Sequence, residues 1–278
     1  MCVLADAPLD AVESCPAPQL IDQIKVLQVN LNKSNAAQLE LSIPLRKERD
    51  FICLITEPAT IRNRLAGIPK SYNVIPEARE NSPRAAIYTS KTVQIHKIAS
   101  LRHRDLAVDI IKIGGCSTAI ISAYMDIKNI PIPEHLVKAI EYCKCKGYGI
   151  LLGVDTNSHS KLWGNETNQR GKKWEQFIED EELVVHNTGR IPTFESKIGK
   201  SCIDITCSFR LPTRISDWRV LRSYNGTDHN SIHYTLEQAK IMIPACRLYK
   251  KANWDTFKEV LRTADISIPS KMTEAKTG

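Results

Sequence analysis

The stretch GILLGVDTNSHS, residues 149–160, sets the apolar run Gly149–Val154 directly against Asp155, Asn157 and His159. A run that short, bounded by turn formers and rich in Ile, Leu and Val, reads as a buried strand. The carboxylate and the amide then fall at its C-terminal end. Taken alone, Asp155-x-Asn157 is also what a simple turn selects, because both residue types bond their own backbone two residues on. The pattern becomes informative only because it recurs along the chain.

Gln28-Val-Asn30-Leu-Asn32, Thr56-Glu57-Pro58, Tyr124 and Gly226-Thr227-Asp228-His229 each follow or open a β-rich run in the same way. The runs are Ile24–Val29, Phe51–Thr56, Ala85–Thr89, Leu106–Ile113, Thr118–Tyr124, Gly149–Val154, Leu183–His186, Cys202–Cys207 and Ser231–Leu236. Three helical patterns lie between them. Glu134–Lys144 puts Leu136, Ala139, Ile140 and Cys143 on one face, and Gln169–Glu182 does so with Trp174, Phe177 and Ile178. Asn35–Arg49 is weaker, because Pro44 kinks or ends a helix. Many strands, few helices and polar groups at strand ends imply two packed sheets flanked by helices.

Composition sets the outer limits. With 42% apolar and 25% charged residues over 278 positions, the chain can bury a core. The net charge of +7 suits a polyanionic partner. The first 23 residues carry four acids and no Lys or Arg, with Pro8, Pro16 and Pro18, and read as a loose leader. No apolar run approaches the ~20 residues of a membrane span, and Met1–Asp10 lacks the basic start of a secretory signal. Nine scattered cysteines, with only Cys143 and Cys145 close together, lack zinc spacing and imply reduced thiols in a cytosolic or nuclear protein. The boundaries expected are a leader over 1–23, one domain over 24–237, and a basic segment over 238–278 in which Asn253 caps a short helix.

One acid resists a bland explanation. Asp204 sits between Ile203 and Ile205, and a buried carboxylate is costly unless something pairs with it. His229 is the candidate partner. Phosphodiester hydrolysis needs charge neutralisation at the phosphoryl oxygens, an oriented water and help for the leaving oxygen. Glu57 can anchor a hard cation such as Mg2+, with Asp228 or an Asn completing the shell. Asp155 can take a proton from the attacking water while Asn157 orients phosphate or nucleophile. A carboxylate beside His229 favours its cationic form, and Tyr124 can donate to a phosphate oxygen.

In this order the segments resemble the endonuclease/exonuclease/phosphatase superfamily over about residues 24–237. Within it, they resemble the endonucleases of insect non-LTR (LINE-type) retrotransposons that insert into ribosomal DNA or telomeric repeats. The most specific part runs from Asp155-Thr-Asn-Ser-His-Ser160 through Trp163-Gly164 and Asn168-Gln-Arg-Gly171 to His186-Asn187 and Pro192-Thr193-Phe194. Ser201-Cys-Ile-Asp204-Ile-Thr206, Trp218 and Gly226-Thr-Asp228-His229 complete it, and Pro83-Arg84-Ala85 and the strand from Asp105 also fit.

The resemblance implies an α/β (α+β) four-layer sandwich of two mainly antiparallel sheets flanked by helices. It implies a Mg2+-dependent (or Mn2+-dependent) endonuclease that nicks double-stranded DNA and leaves a 3′-hydroxyl for reverse transcription. Glu57 is implied as principal metal ligand, supported by Asn30, Asn32 and Asp228; Tyr124 as phosphate contact; Asp155 and Asn157 as the pair at the nucleophile; and Asp204 as the acid orienting His229. Thr193, Thr227, Arg170 and His159 are implied near the DNA, His159 equally as a positioning residue. Thr227 stands where the motif usually has Ser, and Pro44 is also a departure. Asn253-Trp-Asp-Thr-Phe257 resembles the linker toward a reverse transcriptase, which is absent here, so a fragment, a truncated copy or an isolated gene product is expected, acting in the nucleus. Two other outcomes stay open: another hydrolase of the same fold, such as an abasic-site nuclease or phosphoinositide phosphatase, and a catalytically inactive nucleic-acid-binding relic.

Overall fold

A computed structural model describes residues 23–238 except 68, 70, 76–81, 114, 190, 198, 223 and 225, and only the backbone of Lys97, Ala99 and Gln238. Residues 1–22 of the expected leader and the segment with Asn253 lie outside the described residues, and Gln23, expected to end the leader, opens the first strand. The chain divides into compact units at Met1–Ala239 and Lys240–Gly278; only the first is described below.

Its elements run β1 (Gln23–Asn30), α1 (Asn35–Leu45), β2 (Phe51–Thr56), β3 (Thr60–Ile61), β4 (Arg64–Leu65), β5 (Tyr72–Ile75), β6 (Ala85–Ser90), β7 (Ile95–Lys97), β8 (Leu106–Ile113) and β9 (Cys116–Tyr124). There follow α2 (Glu134–Cys145), β10 (Gly149–Asp155), α3 (Gln169–Asp180), β11 (Val184–Val185), β12 (Phe194–Ser196), β13 (Gly199–Ser201), β14 (Asp204–Phe209), β15 (Thr213–Leu221) and β16 (Ser231–Gln238). One six-stranded sheet has the order β15-β16-β1-β2-β6-β5, the other β11-β14-β10-β9-β8-β7. The pairs β3-β4 and β12-β13 are small separate ribbons.

Each large sheet has one parallel pair at its centre, β1 with β2 and β9 with β10, and antiparallel neighbours outside it. A parallel pair needs a crossover, and α1 and α2 supply the two crossovers. Alternating side chains give each sheet two faces. Val26, Leu54, Ile120, Leu151, Ile232 and Tyr234 fill the space between the sheets. Leu27, Val29, Phe51 and Ile55 pack under α1 through Ala37, Leu41 and Leu45. Val108, Ile121, Leu152 and Ile205 pack under α2 and α3 through Leu136, Ile140, Trp174 and Phe177. The result is the four-layer sandwich.

The structure also departs from the sequence-based expectations. Pro44 lies in the last turn of α1, which ends one residue later; its missing N–H costs one bond near a terminus, so the helix is not broken earlier. The strand expected over Cys202–Cys207 begins at Asp204 and runs to Phe209, and Leu183–His186 shrinks to two residues. Among the described residues no helix is long and apolar enough to cross a membrane, and all six described cysteines are free thiols.

Candidate active site

The two parallel pairs end at one mouth. Asn30 closes β1 and Glu57 follows β2; Tyr124 closes β9 and Asp155 closes β10. At these ends the backbone turns out of strand geometry. Asn32 (φ 45°), Glu57 (φ 44°) and Asn157 (φ 47°) are left-handed. Asn tolerates that region, but a glutamate there costs of order 1 kcal/mol. Backbone bonds hold Glu57 in place: its N–H donates to the Arg84 carbonyl at 2.8 Å and its carbonyl accepts from Lys33 N–H at 2.8 Å.

Asn30 joins the two pairs. It is 1% exposed, and its Nδ2 donates to Asp155 Oδ2 at 2.9 Å and to Glu57 Oε2 at 3.3 Å, while its Oδ1 accepts from Asn32 N–H at 2.8 Å. Two carboxylates from different sheets thus share one nitrogen. Lys33 Nζ lies 3.1 Å from the other Glu57 oxygen. Asp155 Oδ1 accepts from Asn157 N–H at 3.1 Å, and Asn157 Nδ2 reaches back to the Met125 carbonyl at 3.1 Å. Burial pushes the Asp155 carboxyl up, the Asp204 carboxylate beside it adds to that, and together they outweigh His229, Asn30 and Asn157, bringing it to about 7.

His229 precedes β16, and its Nδ1 meets Asp204 Oδ2 at 2.9 Å, both side chains almost fully buried. Burial alone would lower the imidazole, but the charge and hydrogen bond of Asp204, with Asp155 and Asp228 nearby, hold it up at about 9. Phe194 packs edge-on against the ring at 5.1 Å. Ligand atoms of Asp155, Asp204 and His229 lie within 4.8 Å of one another, a set that can hold a metal ion. Asp228 is half-buried and uses its backbone carbonyl to accept from Glu195 N–H at 2.7 Å. Burial raises the Tyr124 hydroxyl far above its usual range, followed by the carboxylates of Glu57, Asp155 and Asp126, so it stays a proton donor.

The four residues expected near DNA each brace the framework of the mouth. Thr193 is fully buried, its hydroxyl accepting from Ile203 N–H and Asp204 N–H, both at 3.0 Å; it fixes the start of β14. Thr227 donates to the Asn30 carbonyl at 2.8 Å and accepts from His229 N–H at 3.2 Å, tying β1 to the histidine turn. Arg170, expected on phosphate, gives its guanidinium to the carbonyls of Thr156 (3.1 Å), Asn129 (2.8 Å), Asp126 (3.1 Å) and Met125 (3.4 Å). That clamps the loops after Tyr124 and Asp155 together. His159 contributes its backbone: its carbonyl accepts from Asn168 N–H at 3.1 Å, and a Cβ on Gly171 would lie 1.7 Å from that oxygen. Only glycine fits there. Asn32 is exposed and supports the site through its N–H.

Arg84 was visible in the sequence only as part of a matching segment, with no role. Its Nε and Nη2 donate to the two oxygens of Asp105, its Nη1 donates to Asp126 at 2.6 Å, and it lies 4.8 Å over the Tyr124 ring. Its signal was an arginine just before a buried strand, with acids opening two later segments, and no local spacing reveals that they meet.

Residues 118–233 match the family model described as endonuclease-reverse transcriptase. The chain is 21% identical over 270 residues to a putative 115 kDa protein in the type-1 retrotransposable element R1DM of Drosophila melanogaster, covering 90% of this chain and 26% of that protein. It is 22% identical over 210 residues to the Pol polyprotein of the type-1 retrotransposable element R1 of Bradysia coprophila, covering 70% and 21%. The chain thus spans about a quarter or less of the length of these relatives. In fold it is similar to the endonuclease domain of TRAS1, a telomere-specific non-LTR retrotransposon, with TM-score 0.64, 24% identity, and coverage of 77% of this chain and 98% of that one. It is also similar to an AP endonuclease of Leishmania major, with TM-score 0.57, 11% identity and coverage of 78% and 89%.

Proposed function

From the match of residues 118–233 to the endonuclease-reverse transcriptase family model and a fold similar to the TRAS1 endonuclease domain, we propose that this chain is the DNA-nicking endonuclease of a non-LTR retrotransposon. It hydrolyses one phosphodiester of double-stranded DNA and leaves a 3′-hydroxyl for a reverse transcriptase carried on the same polyprotein, acting in the nucleus. The observation that carries this reading is the convergence at one mouth: Glu57 and Asp155 share the Asn30 nitrogen, and His229 is paired to Asp204 behind them.

The donors suit a hard cation. Glu57 and Asp155 offer oxygens only, and Asp155 and Asp204 are buried side by side with one compensating imidazolium. Buried carboxylates gathered so closely favour a second positive charge. Glu57, with Asn30 and Asp228, would hold Mg2+ (Mn2+ accepts the same oxygens), which when bound neutralises charge on the phosphoryl and leaving oxygens. The Asp155–Asp204–His229 set is the other place for an ion, but the 2.9 Å contact of His229 with Asp204 already has hydrogen-bond length. That pair serves better as a charged acid–imidazole couple.

Asp155, raised toward neutrality, has the basicity of a general base at physiological pH. It takes a proton from water as the water oxygen bonds to phosphorus, and Asn157 orients the reacting groups. The bond from phosphorus to the 3′ oxygen breaks, the departing oxygen takes a proton from solvent water, and the products are a 3′-hydroxyl and a 5′-phosphate. His229, held cationic, and the Tyr124 hydroxyl stabilise charge on the non-bridging oxygens.

Nicking of supercoiled plasmid with Mg2+ tests the reading. Glu57→Ala and His229→Ala each abolish nicking while leaving the circular dichroism spectrum unchanged; near-normal activity in either overturns the site assignment. Turnover of abasic oligonucleotide or phosphoinositide in preference to plasmid would reassign the substrate.

A further inference from the structure

The six side chains at the mouth come from two sheets that share no backbone ladder. Asn30, Glu57 and His229 belong to the sheet of β1, β2 and β16, whereas Tyr124, Asp155 and Asp204 belong to that of β9, β10 and β14. Both 2.9 Å contacts of the site, Asn30 to Asp155 and His229 to Asp204, therefore cross the seam. The apolar residues in the seam resist separation, but hydrophobic packing is non-directional and sets relative translation weakly. A displacement of about 1 Å in a catalytic constellation costs on the order of a hundredfold in rate.

One pleat below the site the seam is polar. Residues i and i−2 share a strand face, so Gln28 lies beneath Asn30, Ser122 beneath Tyr124 and Gly153 beneath Asp155. Thr206 lies beneath Asp204 in the reverse strand direction. Gln28 Nε2 donates to the Ile205 carbonyl at 3.0 Å, and its Oε1 accepts from Thr206 Oγ1 at 3.0 Å. Trp218 Nε1 crosses from the first sheet to the same Thr206 hydroxyl at 3.0 Å. Ser122 Oγ donates to the Ile55 carbonyl, two residues before Glu57, at 2.9 Å. Gln28 is 4% exposed, and Ser122 and Thr206 are 0% exposed. Gly153 leaves the room: a Cβ there would lie 2.8 Å from Gln28 Oε1 and 2.6 Å from Leu54 Cδ1. An aliphatic layer would fill this space without the desolvation cost of an amide and two hydroxyls. What the polar layer adds is direction.

We propose that Gln28 and Ser122 are positioning residues whose cross-sheet hydrogen bonds fix the translation of one sheet against the other and so hold the two halves of the site in register. This rests on the nicking activity proposed above, and its test includes a readout independent of that activity. Gln28→Met keeps the side-chain length and bonds to neither partner; Ser122→Ala removes one hydroxyl. With Gln28→Met folded by circular dichroism, single-turnover nicking falls tenfold or more, plasmid affinity stays within twofold, and the Mg2+ concentration for half-saturation in calorimetric titration rises severalfold. Ser122→Ala moves the same quantities in the same direction by less.

A folded Gln28→Met with wild-type rate and Mg2+ affinity overturns the proposal. So does a loss of activity that only tracks the unfolded fraction at the assay temperature. If Gln28→Met does not fold, Ser122→Ala decides on the same two readouts. If the wild-type chain nicks nothing, the proposed function fails, and the Mg2+ titrations still decide whether the register claim stands.

Discussion

Replacing Asp204 by Asn isolates the contribution of a single charge to the site. The wild-type imidazole of His229 is held at about 9 against an ordinary 6.5. At 1.36 kcal/mol per pKa unit, that difference is worth about 3 kcal/mol. The folded-state value is raised, so this stabilisation is fully present below pH 6.5 and is lost as pH rises through about 9. Without the Asp204 charge, burial is the largest influence left on the ring and, against Asp155 and Asp228, pulls it back toward the ordinary 6.5. At pH 8 the cationic fraction then drops from about nine-tenths to a few hundredths, roughly thirtyfold. Proton NMR titration reads this directly among the seven histidines. His135, His186 and His233 are all shifted down by burial, which leaves His229 as the high-titrating ring among these four. Single-turnover nicking should show the alkaline limb of Asp204→Asn moved down by two or more pH units, with rates at pH 8 at least thirtyfold below wild type. An alkaline limb unmoved in the folded variant would refute the claim that the Asp204 charge keeps His229 protonated.

Asp155→Asn should abolish nicking yet leave the metal-free fold at least as stable above pH 7. The wild-type carboxyl is raised from 3.8 to about 7, so its burial erodes stability as pH climbs through that window; melting in EDTA at pH 5 and pH 8 checks the crossing trends. Arg170→Met should leave the helical dichroism of α3 intact and lower nicking by one to two orders of magnitude, because four carbonyls that fix the loops after Tyr124 and Asp155 lose their donor; an unchanged rate would return Arg170 to a peripheral role. Gly171→Ala should destabilise by at least about 3 kcal/mol or prevent folding, since the new methyl overlaps the His159 carbonyl; denaturant unfolding gives the value. Tyr124→Phe should lower single-turnover nicking about tenfold with DNA affinity nearly unchanged, as expected for one hydrogen bond made to the transition state.

The residues that gather at the site were readable where they sit after an apolar run. Asp155 after Gly149–Val154 and Glu57 after Phe51–Thr56 stand out because an ionisable group directly follows a buried strand. Asp204 was conspicuous for its cost, and the histidine expected to meet it does so. The edge strand β15 gave no such signal. Its sequence, TRISDWRVL, mixes charges with apolar residues, and the bulge between Ser216 and Arg219 breaks the alternation that a strand with one solvent face otherwise shows. The internal hydrogen bonds of Arg170, Thr193 and Thr227 were not legible for another reason. Basic and hydroxyl side chains near a phosphate-binding motif suit phosphate and backbone carbonyl alike, and only the distances show which partner each has taken. Arg84 was beyond reach because its partners, Asp105 and Asp126, are brought to it by separate strands.

The last strand of the sandwich lies beside the first: β16 is inserted between β15 and β1. His229 stands at its threshold, about two hundred positions downstream of β1. A ribosome partway through this message therefore carries a nascent chain with its carboxylates already made and no imidazole to complete them. Under the proposed function, a copy cut short before His229 lacks both the imidazole and the strand that follows it, and so cannot cut DNA.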